Sequence, residues 1–538
     1  VTATAGSFGR LDGSYRQRFD YARGNVFIGL AHAENDGFQK NTERRQPATV
    51  LGIDHAMSSD WTTGLQIYDT QVRAERGSIV PLKDGKPMYG ISARDNYAIP
   101  GVQIDGDYQS VAWKNELRLA QGWSLRHLTS FARYDRLFMG GVTIVPGPAA
   151  VSKGYSETDT SDRGVFHDLA LTHRHEGKGW SNTLQFGINL EHAWQDQVSP
   201  TFRNAPTYRG PDYNTPVSNK NNDPRGVRGP AVASRFDQEV RSFYLQDRLE
   251  IGDLGLVAGI RHDAFEQRLT RSNTNAESRQ EDSRTSPRFG ADWIYARRGD
   301  SAHSTFFNWS EGFRPQAVAL NTRNNVVVPD LLRPERTRSL EIGVKGEGPE
   351  QRWTYQVSAF RADKLDGQRS FRNGPDSFIF SNATSRTQGV ESLLGWRLGE
   401  HWRGYAHYTR QDAKLRDFQT YDNAGKPTQN YGGNRVRMSA RNIAGLGATY
   451  AYGRWVWTTS ANYVGSRYLR DNVAHSQKLP SYTLLNTALS YQVSSMLSVQ
   501  AGVNNLTDEY YIGDDMSSQE AGNAGAPRSV FVRARLSL

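Results

Sequence analysis

Connections along this chain alternate between short and long, and few architectures can keep that rhythm. Segments of alternating hydrophobicity, about ten residues each, come in pairs. Tight turns join the members of each pair at 21–25, 58–61, 121–123, 176–180, 252–254, 297–300, 347–351, 398–402, 452–455 and 493–496. Between the pairs lie long polar stretches near 75–106, 138–159, 197–235, 269–282, 314–335, 365–387, 414–436, 469–480 and 506–527. A sandwich or propeller has no reason to place its short turns on every second connection. A transmembrane barrel does, because its strands run up and down between short periplasmic turns and long extracellular loops. The expectation is an all-β, transmembrane antiparallel β-barrel, multi-pass in a bacterial outer membrane.

Composition supports that class against its competitors. Over 538 residues only 37% are hydrophobic, yet 11% are aromatic, with 12 Trp and 25 Tyr. A soluble single-core protein of this size wants more aliphatic residues, and a disordered chain has fewer aromatics. A barrel satisfies both observations, since only alternate residues face lipid and aromatic girdles mark the interfaces. No apolar run reaches about 18 residues, which excludes transmembrane helices. The chain has no Cys, which excludes disulfide frameworks and thiolate metal sites. Val1 falls directly into a strand, so the N-terminus reads as that of a processed or truncated chain.

The period-two signal places about 22 strands, at 1–8, 10–20, 23–35, 45–57, 61–74, 107–121, 123–137, 160–175, 180–196, 236–251, 253–268, 283–297, 302–313, 336–347, 351–364, 388–398, 402–413, 437–452, 454–468, 481–493, 496–505 and 528–538. An even count puts both chain ends on the periplasmic side, in the size class of plugged outer-membrane transporters. Leu184, Phe186, Ile188 and Leu190 share one face of one strand, while Trp61, Trp123, Trp180, Trp402 and Trp455 directly follow short turns, as an interfacial belt requires.

Several local sequences resemble TonB-dependent outer-membrane receptors of the siderophore type. Trp309-Ser-Glu-Gly-Phe-Arg-Pro315 is similar to that family's strand-end signature before a long loop. Leu332-Arg-Pro-Glu-Arg-Thr-Arg-Ser-Leu-Glu-Ile-Gly-Val-Lys345 resembles its "L-x-P-E … E-x-G-x-K" pattern, and Gln388-Gly-Val-Glu391 its "x-G-V-E" strand. Val503-Asn-Asn-Leu-Thr-Asp-Glu-Tyr510 and Ala526-Pro-Arg-Ser529 resemble the motifs that lead into its last strand. Thr507 stands where that pattern has Phe, and Leu538 where it ends in an aromatic. The resemblance implies that residues 1–538 are one barrel domain, with the family's N-terminal plug missing from this stretch. It further implies import of a scarce nutrient, driven by the TonB–ExbB–ExbD system acting through the plug.

The long stretches carry groups suited to an anionic, partly aromatic cargo. The candidates are Tyr89 and Tyr97 in the stretch 75–106; Arg203, Tyr208, Arg209, Tyr213, Arg225 and Arg228 in the largest; and Arg369, Phe371, Arg372 and Phe380 further on. Arg offers fixed forks for carboxylate, catecholate or hydroxamate oxygens, and aromatics cover flat apolar parts. A net charge of +9 agrees with steering negative ligands. The same side chains also suit lipopolysaccharide phosphates, a competing reason for their presence. Arg314, Glu335 and Glu341 lie in the resemblance motifs, where a role in barrel architecture or plug contact competes with cargo contact. His173 and His175 share a strand face, which permits a metal pair but also describes an interfacial position.

Nothing binds the Ser and His residues into a nucleophilic or acid–base constellation, so no enzyme is expected. A passive or plugless channel is the rival from another class. The resemblance implies a ferric siderophore first, with cobalamin or another metal chelate behind it; a haem receptor would carry His in 316–334, where none occurs. No resident cofactor and no nucleic-acid partner are expected. Outer-membrane lipid and lipopolysaccharide surround such a barrel, and the resemblance further implies loops that serve as docking sites for phages or bacteriocins.

Overall fold

Period-two patterning resolves into one closed sheet. The computed structural model describes all residues except 76, 78–79, 84, 88–91, 93, 97, 99–100, 141–149, 153–154, 204–206, 210–215, 219–225, 273–274, 316–318, 324–325, 331–332, 373–377, 422–426, 472–477, 515–520 and 538. Its main sheet has 22 antiparallel strands. They are β1 (Thr2–Gly6), β2 (Arg10–Tyr21), β3 (Gly24–Asn35), β4 (Arg44–Ala56), β5 (Trp61–Glu75), β6 (Gln103–Arg118), β7 (Trp123–Gly140), β8 (Ser156–Gly177), β9 (Trp180–Arg203), β10 (Val227–Ile251) and β11 (Leu254–Arg271). The circuit continues with β12 (Ala276–Arg298), β13 (Ser301–Arg314), β14 (Glu335–Glu347), β15 (Trp353–Arg372), β16 (Phe378–Leu398), β17 (Trp402–Asp417), β18 (Asn442–Tyr452), β19 (Trp455–Val464), β20 (Tyr482–Gln492), β21 (Leu497–Asn504) and β22 (Ser529–Leu536). Each strand pairs with its neighbours in the chain. The sheet closes where β1 meets β22 in the register Thr2↔Arg535 to Gly6↔Phe531, and the Val1 ammonium donates to the Leu536 carbonyl at 2.7 Å. Closure removes the unpaired edge that an open sheet would present to lipid.

The outward face is apolar. On β9, Leu184, Phe186, Ile188 and Leu190 are between 37% and 49% exposed, which suits a lipid-facing band. Trp61, Trp123, Trp180, Trp353, Trp402 and Trp455 each open a strand after a short turn and form the expected belt. The His173 ring lies tilted 4.4 Å from that of Trp123 and the His175 ring 5.0 Å from that of Trp180, so both imidazoles belong to that belt. The turns themselves are built for tightness. Gln121 and Gly122 both take left-handed backbone (φ 58° and 83°), which matches the twist of the flanking strands β6 and β7.

The inward face is packed by rings laid over glycine. Tyr405 lies where a Cβ on Gly447 would come within 2.3 Å of its ring, and Tyr244 occupies the same relation to Gly187 at 2.2 Å. Side chains on neighbouring strands thereby share a thin wall instead of filling the lumen.

At the short-turn rim the expected strand ends agree with the structure to within three residues. At the opposite rim several strands run much higher. Stretches 269–282 and 365–387, expected as loops, are mostly strand, and the connections there shrink to 272–275 and 373–377. Strands β8, β9 and β10 have 22, 24 and 25 residues, against the ~10 needed to cross a bilayer. Above the bilayer both faces are wet, so alternation disappears from the sequence while hydrogen bonding continues. Residues 437–441, expected as strand, lie outside β18.

Candidate binding site: the lumen wall and its long-loop rim

Residues opposite the lipid-facing set line the lumen, and across β7–β11 they form one hydrogen-bonded chain. Asp168, 6% exposed, accepts from Arg126 Nη2 at 2.9 Å, from Tyr244 Oη at 3.2 Å and from Asn189 Nδ2. Arg261 donates to Asn189 Oδ1, to Ser242 Oγ at 2.8 Å and to Asp263 Oδ1 at 2.8 Å. Lys114 meets Asp54 at 2.9 Å by reaching over Gly64 of the strand between them. Buried carboxylates paired in this way fix the wall in one arrangement, because losing one partner strands the other in low dielectric. The network borders a cavity of about 1050 Å³ that also meets Glu191, Arg288 and Phe313. Such a wall can orient a polar occupant.

A column of tyrosines climbs the adjacent wall. Tyr68 and Tyr108 are 5.8 Å apart, Tyr108 and Tyr134 are 6.3 Å apart, and the Arg136 guanidinium lies 5.7 Å from the Tyr134 ring. Above it Val102 and Tyr155 pack with Met139 and Phe202. The residue list read from the sequence lacks this column, although its signal was present: each tyrosine sits out of phase with the lipid-facing Ile67, Val111 and Phe131 of its own strand.

Of the candidates named from the sequence, Arg228 and Arg314 have described side chains. Arg228, on β10, pairs with Glu157 of β8 at 3.3 Å. Arg314 is exposed at the end of β13, opposite Glu335 in register. Glu335 is 8% exposed and meets Lys364 at 2.8 Å, while Arg336 reaches Asp366 at 3.0 Å. This part of the motif therefore ties β14 to β15. The backbones of Arg203, Arg369, Phe371, Arg372 and Phe380 lie in β9, β15 and β16, and those of Tyr208 and Arg209 in a short strand, Thr207–Arg209; their side chains lie outside the described residues. Register brings Arg369–Arg372 alongside Phe378–Ser381 at the β15–β16 tip, and Tyr208 beside Val151. Tyr89, Tyr97, Tyr213 and Arg225 lie outside the described residues.

Sequence reasoning also missed a small core among the long loops. Val80, Leu82, Leu469, Leu479 and Ile512 are all at most 3% exposed. Short strands Val80–Lys83 and Ala521–Ala524 pair above the barrel, with Gly522 opposite Val80. Arg467, 3% exposed, donates to the Ile512 carbonyl and sits 5.2 Å from the Tyr482 ring, which stacks on Tyr511 at 4.6 Å. Burial pushes the Tyr510 phenol up to about 12. The folded loop therefore keeps its proton where an unfolded Tyr, near 10, releases it, and stability is lost as pH rises from that lower value toward the upper one. Limited proteolysis is expected to cut the loops near Tyr510 faster as pH climbs above about 10, with the Tyr510→Phe protein losing much of that dependence. Equal profiles would show that Tyr510 does not hold these loops closed.

Comparison with known proteins follows the same outline. The family model described as TonB dependent receptor-like, beta-barrel, matches residues 58–506. The chain is 23% identical over 453 residues to the Ferrioxamine B receptor of Salmonella typhimurium, covering 81% of this chain and 59% of that one. It matches 40% of the length of the probable TonB-dependent siderophore receptor PiuA of Acinetobacter baumannii, so it spans about half the length of these curated relatives. The solved siderophore receptor PiuA from Acinetobacter baumannii superposes with a TM-score of 0.84 at 18% identity, over 99% of this chain and 80% of that one. The FpvAI–pyocin S2 complex contains a chain that superposes at 0.79 and 17% identity, over 99% of this chain and 72% of that one. At those identities the structures establish the fold, a closed antiparallel barrel.

Proposed function

This chain belongs to the TonB-dependent receptor-like β-barrel family, and from that premise we propose that it forms the barrel of a receptor that captures a ferric siderophore outside the cell and imports it. The observation that carries the proposal is the shape of the barrel. Strands of up to 25 residues raise walls above the bilayer around a polar, hydrogen-bonded lumen with a cavity of about 1050 Å³. Those walls bring Arg203 and Arg228 to the β9–β10 rim, with Phe202 opposite Arg228 and Arg203 opposite Val227, and join Arg369, Phe371, Arg372 and Phe380 at the β15–β16 tip. Arg forks and flat rings together suit catecholate, hydroxamate or carboxylate oxygens on an iron centre. The likeness to the Ferrioxamine B receptor supports the same class. Energy coupling is assigned to TonB–ExbB–ExbD acting through a plug domain outside these 538 residues, and the raised loops to bacteriocin docking, which the pyocin complex of a structural relative supports. Binding and gating explain import without covalent chemistry by the barrel.

Tryptophan-fluorescence titration of the purified full-length protein tests this, using ferric and iron-free catecholate, hydroxamate and carboxylate siderophores and cobalamin. Saturable submicromolar quenching by one ferric chelate is expected. Replacing Arg203, Arg209, Arg225 and Arg228 with Ala should weaken that affinity about tenfold or more, since each charge-assisted contact is worth roughly 1.5–3 kcal/mol, while heat-modifiable migration stays intact. Unchanged affinity removes the β9–β10 rim from the site. Silence across the panel would favour a passive channel, and planar-bilayer conductance would then show it.

A further inference from the structure

Lumen-facing cations are not all treated alike. Along β4–β11 Lys114, Arg126 and Arg261 each meet a carboxylate, from Asp54, Asp168 and Asp263. On the closing seam the pattern breaks. Val530 and Val532 of β22 are each 53% exposed toward lipid, so Phe531, Arg533 and Arg535 alternate inward. Leu11 and Phe19 of β2 likewise face out, which turns Asp12, Ser14 and Arg16 inward. Asp12, Ser14, Arg16, Arg533 and Arg535 border a cavity of about 810 Å³ near the short-turn rim, with Thr4 and Gln500 among its neutral walls. The one carboxylate side chain among the residues lining it is Asp12, and Arg10 already holds that group at 2.6 Å.

Among the described residues, Arg16, Arg533 and Arg535 make no ion pair. Arg533 is nevertheless fixed in place. Its Nε donates to Thr4 Oγ1 across the seam at 3.1 Å, and its guanidinium lies 5.5 Å from the Phe531 ring. That ring is laid over Gly502, where a Cβ would come within 2.5 Å. Hydroxyls and amides orient these cations but do not neutralise them. Three like charges on one lumen wall repel each other and focus a positive potential into the cavity.

We infer that this seam wall is an anion lane: the last contact, before the periplasm, of an iron chelate whose ligand oxygens leave it net negative. The inference rests on the import function proposed above and assigns its exit side and the charge of its cargo. Arg forks bind carboxylate and catecholate oxygens without covalent change, so the chelate slides from one guanidinium to the next. An acidic surface of a lumen-filling domain is the alternative occupant, and charge dependence separates the two.

The test compares binding and uptake in iron-starved cells expressing the full native reading frame, with a ferric tris-catecholate as the anionic probe and a ferric trihydroxamate bearing a free ammonium as the cationic one. In the R16Q/R533Q/R535Q protein the Kd for the anionic probe should stay as in wild type, while its uptake Vmax falls about tenfold, the low end of what focused fields do to local ion concentration. The R16K/R533K/R535K protein should keep most of the uptake. Unreduced uptake, a joint change of Kd and Vmax, or an equal loss for a transported cationic probe overturns the lane. If wild-type cells bind and import neither probe, the import proposal fails instead. The zero-current potential of this 538-residue barrel in a KCl gradient then decides the lane: anion selectivity lost in the Gln variant upholds it, and identical potentials overturn it.

Discussion

Asn505→Ala is expected to release the last long loop from the barrel while leaving the strands paired. Asn505 is 4% exposed and has left-handed backbone (φ 48°), a region that Asn tolerates and Ala does not favour. Its Nδ2 donates to the Glu509 carbonyl at 2.9 Å and to the Ala526 carbonyl at 3.1 Å, and its Oδ1 accepts from the Glu509 N–H at 2.9 Å. Its own N–H donates to Asn486 Oδ1 at 3.0 Å. The side chain thus staples the start of the loop to its end, and the backbone N–H of the same residue ties both to β20. Next to it Asp508 Oδ1 accepts from the Arg528 N–H at 2.7 Å. Alanine deletes three hydrogen bonds and leaves two carbonyls and an N–H without their partners. At about 1–3 kcal/mol for each stranded group, discounted for water entry, the local cost is roughly 3–5 kcal/mol. Amide exchange around 505–514 and 521–528 should accelerate a hundredfold or more, given that each ~1.4 kcal/mol is a factor of ten. Asn505→Asp keeps the acceptor, loses both donors and should fall between. Unaltered exchange would mean that the small core around Leu469 and Ile512 holds the loop alone.

That residue also marks the boundary of what sequence can show. The Val503–Tyr510 motif was legible as a pattern, yet the reason for Asn505 was not, because Ala526 lies 21 positions away and approaches only once β21 and β22 are paired. Strand count, phase and the short-turn rim were legible because the bilayer imposes them: one face must be apolar, each turn must be tight, and a Trp suits the interface. Those demands stop at the outer surface. There β15 and β16 continue to Arg372 and back from Phe378 without alternation, and the sequence reads as loop. The site fared likewise. Arg228 looked like a free cation until β8 placed Glu157 beside it, 71 positions away. The tyrosine column and the uncompensated arginines of the seam depend on which strands become neighbours. The seam joins residues 1–6 to the end of the chain, a pairing that local pattern cannot announce.

Gly389→Val in β16 is expected to damage folding of the barrel more than any surface change. Gly389 stands in the Gln388-Gly-Val-Glu391 motif, and its φ is not left-handed, so the requirement is for space. A Cβ there would lie 2.2 Å from the Arg410 carbonyl oxygen and 3.0 Å from the Gln411 Cα of β17. Both are backbone atoms in a paired strand, with no flexible end to turn aside. Relief requires β17 to move away, which stretches the ladder around Gly389↔Gln411. Overpacking costs typically 1–3 kcal/mol, and two weakened ladder bonds add about 0.5–1.5 each, so a loss of roughly 3–5 kcal/mol is expected. Gly13→Val is the matched control. Gly13 is also a strand glycine with ordinary φ, on β2, but nothing lies within 4 Å of its would-be Cβ. There valine should be neutral or slightly favourable, since β-branched residues suit exposed strand positions. Urea titration of the folded, heat-modifiable fraction in detergent distinguishes them: the midpoint should drop sharply for Gly389→Val and stay put for Gly13→Val. If both proteins fold alike, β16 and β17 have slack at this point, and the motif's glycine is needed for something the lumen contains rather than for the wall itself.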